Sequence, residues 1–338
     1  MTTDKIVPRS MRSVRFHHTG APEVLQMDTL EVPAPGPGQL LVRVEMAGVN
    51  FADALRRAGK PYPVPTPLPF NPGGEAVGVV CDVGEGVDPS WLDRRVLVAT
   101  IIGGAYAEYM IALRHEILLC PQGLSSKQAV CLPIQGLTAM AALKSSGQVV
   151  AGESVLIHGA TGGVGNLAVQ VARAIGAKVV AGVGSEAKRA VALDLGAHAA
   201  VDYSRPDWPQ RVLEATEGRG VDLVLDATCG ELLRRSLDCL AEFGRIVLYG
   251  TADPEPSPVD IIRLLGRNQR LTGCFLGGYF MHRPEVAAGL LEELGALVRH
   301  GTVVPHVHEV LGLDQAQHAH RLIEERRVTG KVLIDPFH

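Results

Sequence analysis

Long hydrophobic runs are missing from this sequence. No apolar stretch approaches the roughly 18 residues that a bilayer-spanning helix needs, so no membrane partner is expected. Cysteine is scarce, six in 338 residues, and no two form a Cys-x-x-Cys pair. Cys81, Cys120, Cys131, Cys229, Cys239 and Cys274 therefore read as reduced side chains of a cytoplasmic protein, not as a disulfide framework. Surplus basic charge is missing as well. The formal net charge is −4, which offers no field to a phosphate backbone and excludes nucleic acid as the expected partner. Met1–Ser10 is polar and lacks the apolar stretch of a secretory signal; Met11 is an alternative first residue, with Met1–Ser10 a loose extension. What remains is ordinary globular composition, 46% hydrophobic and 20% charged, in a chain longer than one core usually supports. Two domains are expected.

The first third reads as β-rich. Ser13–Phe16, Gln39–Val49 and Ala76–Asp82 are strand-like, broken by Pro33–Gly38 and Gly84–Gly86. Six prolines between Pro61 and Pro72 rule out helix and central strand, which leaves an extended loop. The middle alternates. Strands are predicted at Ser154–His158, Ala177–Val183, Ala199–Asp202, Val221–Asp226 and Arg245–Tyr249. Helices are predicted at Asn166–Ile175, Glu186–Leu195, Pro209–Thr216 and Glu231–Leu240. That rhythm is the mark of βαβ units and a doubly wound parallel sheet, so the fold class is α/β. Beyond Gly273 the alternation fades into a helix over Arg283–His300, a strand over Val303–Val310, a helix over Asp314–Glu325 and a last strand, Lys331–Ile334.

The strongest local signal is His158-Gly159-Ala160-Thr161-Gly162-Gly163-Val164-Gly165, between a predicted strand and a predicted helix. Glycine there lets the chain turn tightly and lets backbone N–H groups approach a pyrophosphate, which the positive end of the helix dipole also attracts. Ala160 stands where the first glycine of the dinucleotide fingerprint would be. Such sites that prefer NAD place an Asp or Glu about 20 residues on, at the end of the second strand, to bind the ribose 2′-hydroxyl. This chain has Gly184 and Ser185 there, followed by Lys188 and Arg189. A small residue, a hydroxyl and an ammonium suit a 2′-phosphate, so NADPH is the expected cofactor. Tyr203 ends the third strand, within reach of an adenosine.

Several further segments carry a resemblance: Ala47-Gly48-Val49-Asn50-Phe51-Ala52-Asp53, Asn71-Pro72-Gly73-Gly74-Glu75, Gly104-Ala105-Tyr106-Ala107-Glu108-Tyr109, Gly136-Leu137-Thr138-Ala139 and Gly330-Lys331-Val332. With the glycine turn, and in this order, they resemble the medium-chain dehydrogenase/reductase superfamily, in particular its zinc-free quinone oxidoreductase (zeta-crystallin-like) branch. The resemblance spans about Met11 to Asp335. It implies a GroES-like β-barrel substrate domain, residues 11–132 plus 274–338, with a Rossmann NADPH-binding domain, residues 133–273, inserted into it. It implies a homodimer; Arg245–Tyr249 through Leu271–Phe275 could supply an edge-strand contact. The zinc-dependent branch carries ligands at positions matching Asn50, Gly74 and Gln135. Asn and Gln are poor zinc ligands and Gly offers none, so no metal is expected. His306, His308, His318 and His320 do not form a metal-binding pattern.

Without a metal to polarise a carbonyl, the expected chemistry is direct hydride transfer to an acceptor already electron-poor: a quinone or an α,β-unsaturated carbonyl compound. The resemblance puts Asn50 beside nicotinamide and acceptor, where its amide can donate to a developing oxyanion. Asp53 is a second catalytic candidate, with turn formation as its alternative task. The resemblance adds Thr138, Lys331, Phe275 and Leu276 as cofactor contacts. Relatives often have tyrosine where Leu55 stands, which leaves solvent as the proton source, with Tyr62 and Tyr279 as substitutes. Two other functions stay open. One is reduction of an enoyl thioester (CoA or acyl carrier), with Arg56, Arg57 and the Arg263/Arg267/Arg270 set either binding its tail or serving as solvated surface charge. The other is a non-catalytic NADPH-binding role.

Overall fold

The structure is a computed structural model that describes residues 7–252 and 258–338. Residues 1–6 of the expected extension lie outside the described residues, and Ser10 already pairs in a strand. Among the described residues no helix is long and apolar enough to cross a membrane. The strands in chain order are β1 (Ser10–Arg15), β2 (Gln26–Glu31), β3 (Gln39–Gly48), β4 (Glu75–Val83), β5 (Arg95–Ala99), β6 (Tyr109–Leu113), β7 (Ile117–Leu119), β8 (Ser154–His158), β9 (Lys178–Val183), β10 (Ala199–Asp202), β11 (Val221–Asp226), β12 (Leu240–Leu248), β13 (Arg270–Gly273), β14 (Val307–Gly312) and β15 (Lys331–Asp335).

The chain divides into two units. The first takes the chain up to Ile134, Phe280–Pro284 and Val307–His338; the second takes Gln135–Tyr279 and Glu285–His306. Beyond 274 the chain therefore touches the first unit at Phe280–Pro284 and rejoins it from Val307, where the sequence suggests one return at 274. The reason is the helix Pro284–Arg299, whose buried face of Ala287, Leu290, Leu291, Leu294 and Val298 belongs to the second unit.

In the first unit a seven-stranded sheet runs β14-β15-β3-β4-β5-β7, with β6 also on β3. The long β3 makes this possible: Gln39–Arg43 pairs with β6, Ala47 and Gly48 pair with β15, and β4 follows the whole length. Its apolar positions are β-branched or long aliphatic. Val42, Val44, Val80, Val96, Val98, Met110 and Ile334 fill a core together with Phe16 and Phe70. The sequence reading misses the helix Phe51–Arg57. Asn50 caps it, and Asp53, at its third position, returns a side chain to the backbone N–H of Asn50 at 2.9 Å.

The second unit is a six-stranded, all-parallel sheet in the order β10-β9-β8-β11-β12-β13. Numbered within the unit this is 3-2-1-4-5-6, and the order reverses between β8 and β11. Every residue of β8 is buried, as a central strand covered on both faces requires. The helix after it begins at Gly163, three residues before the predicted start. Glycine lowers helix propensity, but the first residues of a helix have no i−4 carbonyl to bond, so the cost there is small. The predicted helix Glu231–Leu240 also needs correction: it ends at Ser236, Leu237–Cys239 form a 3-10 turn, and Leu240 opens β12. Phe243 adopts φ 59°, and the pairing slips between Val221/Leu240 and Leu223/Arg245. That bulge hides the early part of the strand from a period-2 pattern.

Candidate functional site

The second unit carries the glycine turn at its topological switch point, where open α/β sheets bind ligands. Ala160 is buried, and its N–H donates to the Gly182 carbonyl at 3.1 Å, which ties the turn to the end of β9. Thr161 is buried. Gly162 is the N-cap and has no side chain to offer, so no side chain caps the helix Gly163–Ile175. The amides of Gly163, Val164 and Gly165 are its first-turn donors, while Asn166 already bonds the Gly162 carbonyl at 2.9 Å. Gly165 has to be glycine. A Cβ there would press into the Gly159 carbonyl and stand 2.8 Å from the Ala160 Cα. Gln135 packs its amide against Gly163, where a Cβ would displace it.

Gly184 and Ser185 follow β9, Gly184 exposed and Ser185 half-buried. The Tyr203 hydroxyl lies 3.0 Å from the place of a Gly184 Cβ, so these two predicted residues are brought together. Behind Tyr203 stands His158, the last residue of β8, edge-on at 5.8 Å between ring centroids. His158 is 1% exposed and bonds Ser236 Oγ at 2.8 Å. Burial pushes its imidazole down to about 3, so it stays neutral. The sequence reading treats His158 only as the end of a strand; its burial is a tertiary property. Lys188 is half-buried on the helix Ala187–Asp194. Arg189 is engaged elsewhere, with the Ala200 carbonyl at 2.9 Å and Glu186 at 2.6 Å. Thr138 is buried in the helical turn Leu137–Met140, between two π-helical turns, Leu132–Gly136 and Ala141–Ser146. Phe275 is 50% exposed, and Leu276 opens a helix, Leu276–His282, that the sequence reading lacks. An uncapped first turn, room for close approach and no carboxylate at Gly184 or Ser185 together fit a dinucleotide with a 2′-phosphate.

The first unit gathers Asn50, Asp53, Glu75 and Lys331. Lys331 and Glu75, 1% and 0% exposed, form an ion pair. Lys331 Nζ also donates to Asn50 Oδ1 at 2.8 Å, and Asn50 Nδ2 donates to Glu75 Oε1 at 2.8 Å. The Ile134 N–H satisfies Glu75 Oε2 at 3.0 Å. A Cβ on Gly48 would collide with the pair, 2.6 Å from Lys331 Cε. Lys331 is thus committed within this cluster, where the sequence reading expects a cofactor contact. Glu75 is the residue that reading passed over, although its Gly-Gly-Glu setting was visible.

Asp53 has both oxygens taken, by the Asn50 N–H at 2.9 Å and the Gly73 N–H at 3.0 Å. Burial pushes its carboxyl up to about 6, with those backbone donors and the Lys331 charge pulling the other way. Asp53 therefore shapes the turn that presents Asn50. Arg56 and Arg57 are not surface charges. Arg56 is 5% exposed, donates to Thr66 Oγ1 at 3.0 Å and the Pro65 carbonyl at 2.8 Å, and lies over the Phe70 ring at 4.1 Å. It clamps the proline loop. Arg57 is 1% exposed and pairs with Glu324. Both come from a helix too short to show a 3.6-residue period.

Comparison with known proteins then settles the relationship. Residues 36–122 match the alcohol dehydrogenase GroES-like domain, and residues 163–294 match the zinc-binding dehydrogenase domain. The quinone oxidoreductase of Pseudomonas aeruginosa is 32% identical over 326 residues, covering 96% of this chain and 99% of that protein. A 2-haloacrylate reductase of Burkholderia sp is 34% identical, over 95% of this chain and 98% of that one. The crystal structure of Escherichia coli quinone oxidoreductase complexed with NADPH superposes with a TM-score of 0.89 at 32% identity, covering 96% of this chain and all of that one. The chain belongs to the medium-chain dehydrogenase/reductase superfamily, in its quinone oxidoreductase branch.

The zinc-binding description of one matching domain does not suit these residues. Among the described residues no group of three or more His, Cys, Asp or Glu could hold a metal ion. At the first matching ligand position, Asn50, the neighbouring cation is the Lys331 ammonium, and a divalent ion there would face its charge. This quinone oxidoreductase relative therefore has a donor set unsuited to zinc.

Proposed function

We propose that this protein reduces quinones and α,β-unsaturated carbonyl compounds with NADPH and without a metal. The observation that carries the reading is the bare first turn of the helix Gly163–Ile175, joined to a β9 end, Gly184-Ser185, that lacks a carboxylate. The NADPH complex of the E. coli relative supports the same cofactor. The amides of Gly163, Val164 and Gly165 would hold the pyrophosphate, with Ala160, Thr161 and Gly162 shaping the turn. Gly184, Ser185 and Lys188 would take the 2′-phosphate and Tyr203 would flank the adenosine, while Thr138, Phe275 and Leu276 would serve the nicotinamide end. When bound, NADPH supplies the hydride.

On the acceptor side, Lys331 donates to the Asn50 carbonyl oxygen and so strengthens the amide as a donor. That amide stabilises the oxyanion that develops on a quinone or enone oxygen. The proton that completes the reduction comes from solvent, because Asp53 is spent on two backbone donors and position 55 is leucine. Arg56 and Arg57 are buried and engaged, which removes them as ligands for a thioester tail. We infer a cytoplasmic homodimer. The edge strand β13 and the exposed Ile261, Ile262 and Leu265 support the dimer, and six cysteines that form no disulfide among the described residues support the compartment.

The test follows loss of NADPH absorbance with a panel of quinones, enones and crotonyl-CoA, with NADH as comparator. Turnover of quinones or enones, faster with NADPH than NADH, is expected. Tight NADPH binding with no turnover of any conjugated acceptor would overturn the reading in favour of a non-catalytic role.

A further inference from the structure

We propose that His158 and Ser236 are positioning residues for the adenosine end of the nucleotide: the hydrogen bond between them fixes the His158 ring, and that ring fixes the pose of Tyr203. The proposal rests on the NADPH reading above, in which Tyr203 flanks the adenosine. It adds the residues that hold Tyr203 in place.

All the residues involved belong to the second unit. His158 Nε2 and Ser236 Oγ are 2.8 Å apart. Ser236 has one hydroxyl hydrogen, and it goes to the Leu232 carbonyl at 2.8 Å, one helical turn back. The Ser236 oxygen therefore accepts, and His158 donates from Nε2. The opposite assignment, with Ser236 donating to a bare Nε2, makes one hydrogen bond where this one makes two. It also leaves an N–H at Nδ1 in the core, and among the described residues Nδ1 has no hydrogen-bond partner. An imidazolium would need an acceptor at the same place. The ring is therefore neutral and carries its hydrogen on Nε2.

A ring pinned at one nitrogen cannot flip or turn about its Cβ–Cγ bond without breaking that bond. Its surroundings match one pose. It stands edge-on to Tyr203, 5.8 Å between centroids at 75°, and to Trp208, 5.3 Å at 87°. Nδ1 lies against Gly182, where a Cβ would come within 2.7 Å of it. Gly182 also holds the glycine turn, since its carbonyl accepts the Ala160 N–H at 3.1 Å. Tyr203 follows β10, with its N–H on the Val183 carbonyl at 2.9 Å and its hydroxyl beside Gly184. Between those points the tilt of its ring is set by the His158 edge behind it. This is not the economical way to fill a core. A histidine 1% exposed, with one ring nitrogen unpartnered, costs desolvation that an aliphatic side chain would not. What the imidazole adds is a flat edge whose rotation a single hydroxyl can lock.

The full-length protein is the material for the test. 15N NMR of the histidine-labelled protein reads the tautomer, with His158 identified as the ring whose signals move in Ser236→Ala. A neutral ring protonated at Nε2 is expected; an Nδ1-protonated ring or an imidazolium overturns the proposal. Titration calorimetry with NADPH and with adenosine 2′,5′-bisphosphate then tests the positioning role in Ser236→Ala, Tyr203→Ala and the double variant. Ser236→Ala is close to isosteric and should fold. It should weaken both ligands about fivefold, the worth of one hydrogen bond, and leave kcat at saturating NADPH unchanged. A purely structural role would lower Tm without touching the adenosine fragment. Because the effect passes through Tyr203, Ser236→Ala should add little to the loss already made by Tyr203→Ala. A folded Ser236→Ala with wild-type affinity for both ligands, or a loss that adds in full to that of Tyr203→Ala, refutes the proposal. Failure of the cofactor reading looks different: wild type itself then binds neither NADPH nor the bisphosphate, and the positioning role falls with it.

Discussion

Replace Lys331 by methionine. The side chain keeps its approximate length and loses its charge, and Glu75, 0% exposed, keeps a carboxylate with two neutral donors, the Asn50 amide and the Ile134 N–H. Removing one member of a buried ion pair costs about 3–5 kcal/mol, because the remaining charge stays out of water. For a unit of 150–250 residues each kcal/mol moves Tm by about 2–4 °C, so the first unit should melt about 6–20 °C lower. The pair itself is a different quantity. Glu75→Gln with Lys331→Met removes both charges of the pair, and the double variant should recover much of what Lys331→Met loses, with a coupling energy that a double-mutant cycle reads. Scanning calorimetry is the assay, since it separates the transitions of two units that a single optical melt merges. Two results would refute the reasoning: a Tm for Lys331→Met within a degree or two of wild type, or a double variant that melts below both singles. The second would mean that Glu75 and Lys331 act through separate neighbours and that Asn50 is not held by a joint network.

Two further predictions concern charge. Lys188→Ala should weaken NADPH about tenfold and leave NADH nearly untouched, the worth of one charge-assisted contact to a phosphate; isothermal titration with both nucleotides checks it, and an unchanged ratio of affinities removes Lys188 from the 2′-phosphate. Asp53 makes a pH prediction. Its carboxyl is raised from 3.8 to about 6 by burial, so the folded state holds the proton more tightly than the unfolded one. Its contribution to stability is full below about pH 4 and is lost as pH rises through about 6, on the order of 3 kcal/mol in all. Asp53→Asn does not titrate, so its urea-unfolding free energy relative to wild type should improve between pH 4.5 and 7 by about 2 kcal/mol, the part of the effect that falls in that window. A gap that widens with pH would reverse the sign and show a carboxylate stabilised by its donors.

The nucleotide half was the legible part, for a local reason. Ser154–His158 is a short apolar run, the glycines follow within three residues, and an amphipathic segment comes next, so strand, turn and helix all fall within about twenty residues. The absence of a carboxylate at Gly184 is equally local. Where the reading slipped, the deciding contact was distant. Strand–helix alternation ends near 274 and points to a return to the first unit there, yet the apolar face of Pro284–Arg299 packs in the second unit. Arg56 and Arg57 looked like paired surface charges because nothing within ten residues of Arg57 announces Glu324 or His320. Leu240 reads as helix in the sequence because the bulge at Phe243 breaks the alternation that would declare a strand. Asn50 and Lys331 were each visible in motifs, but that one donates to the other follows only from the pairing of β15 with β3.

The two units treat their polar groups in opposite ways, and this has a consequence for any mutational survey. In the second unit the first turn of Gly163–Ile175 has no side-chain cap, so donors wait for a ligand and little folding energy is invested in them. In the first unit Asn50, Asp53, Glu75 and Lys331 bond one another and backbone, the last three buried and Asn50 half-buried. Substitutions at the glycine turn should therefore change nucleotide affinity before they change Tm. Substitutions in the buried cluster should do the reverse, because there the ligand meets a surface whose shape the fold has already fixed. A variant of Glu75 that lost turnover while keeping its melting temperature would contradict that division, since it would show the carboxylate to be held ready for the substrate and not for the fold.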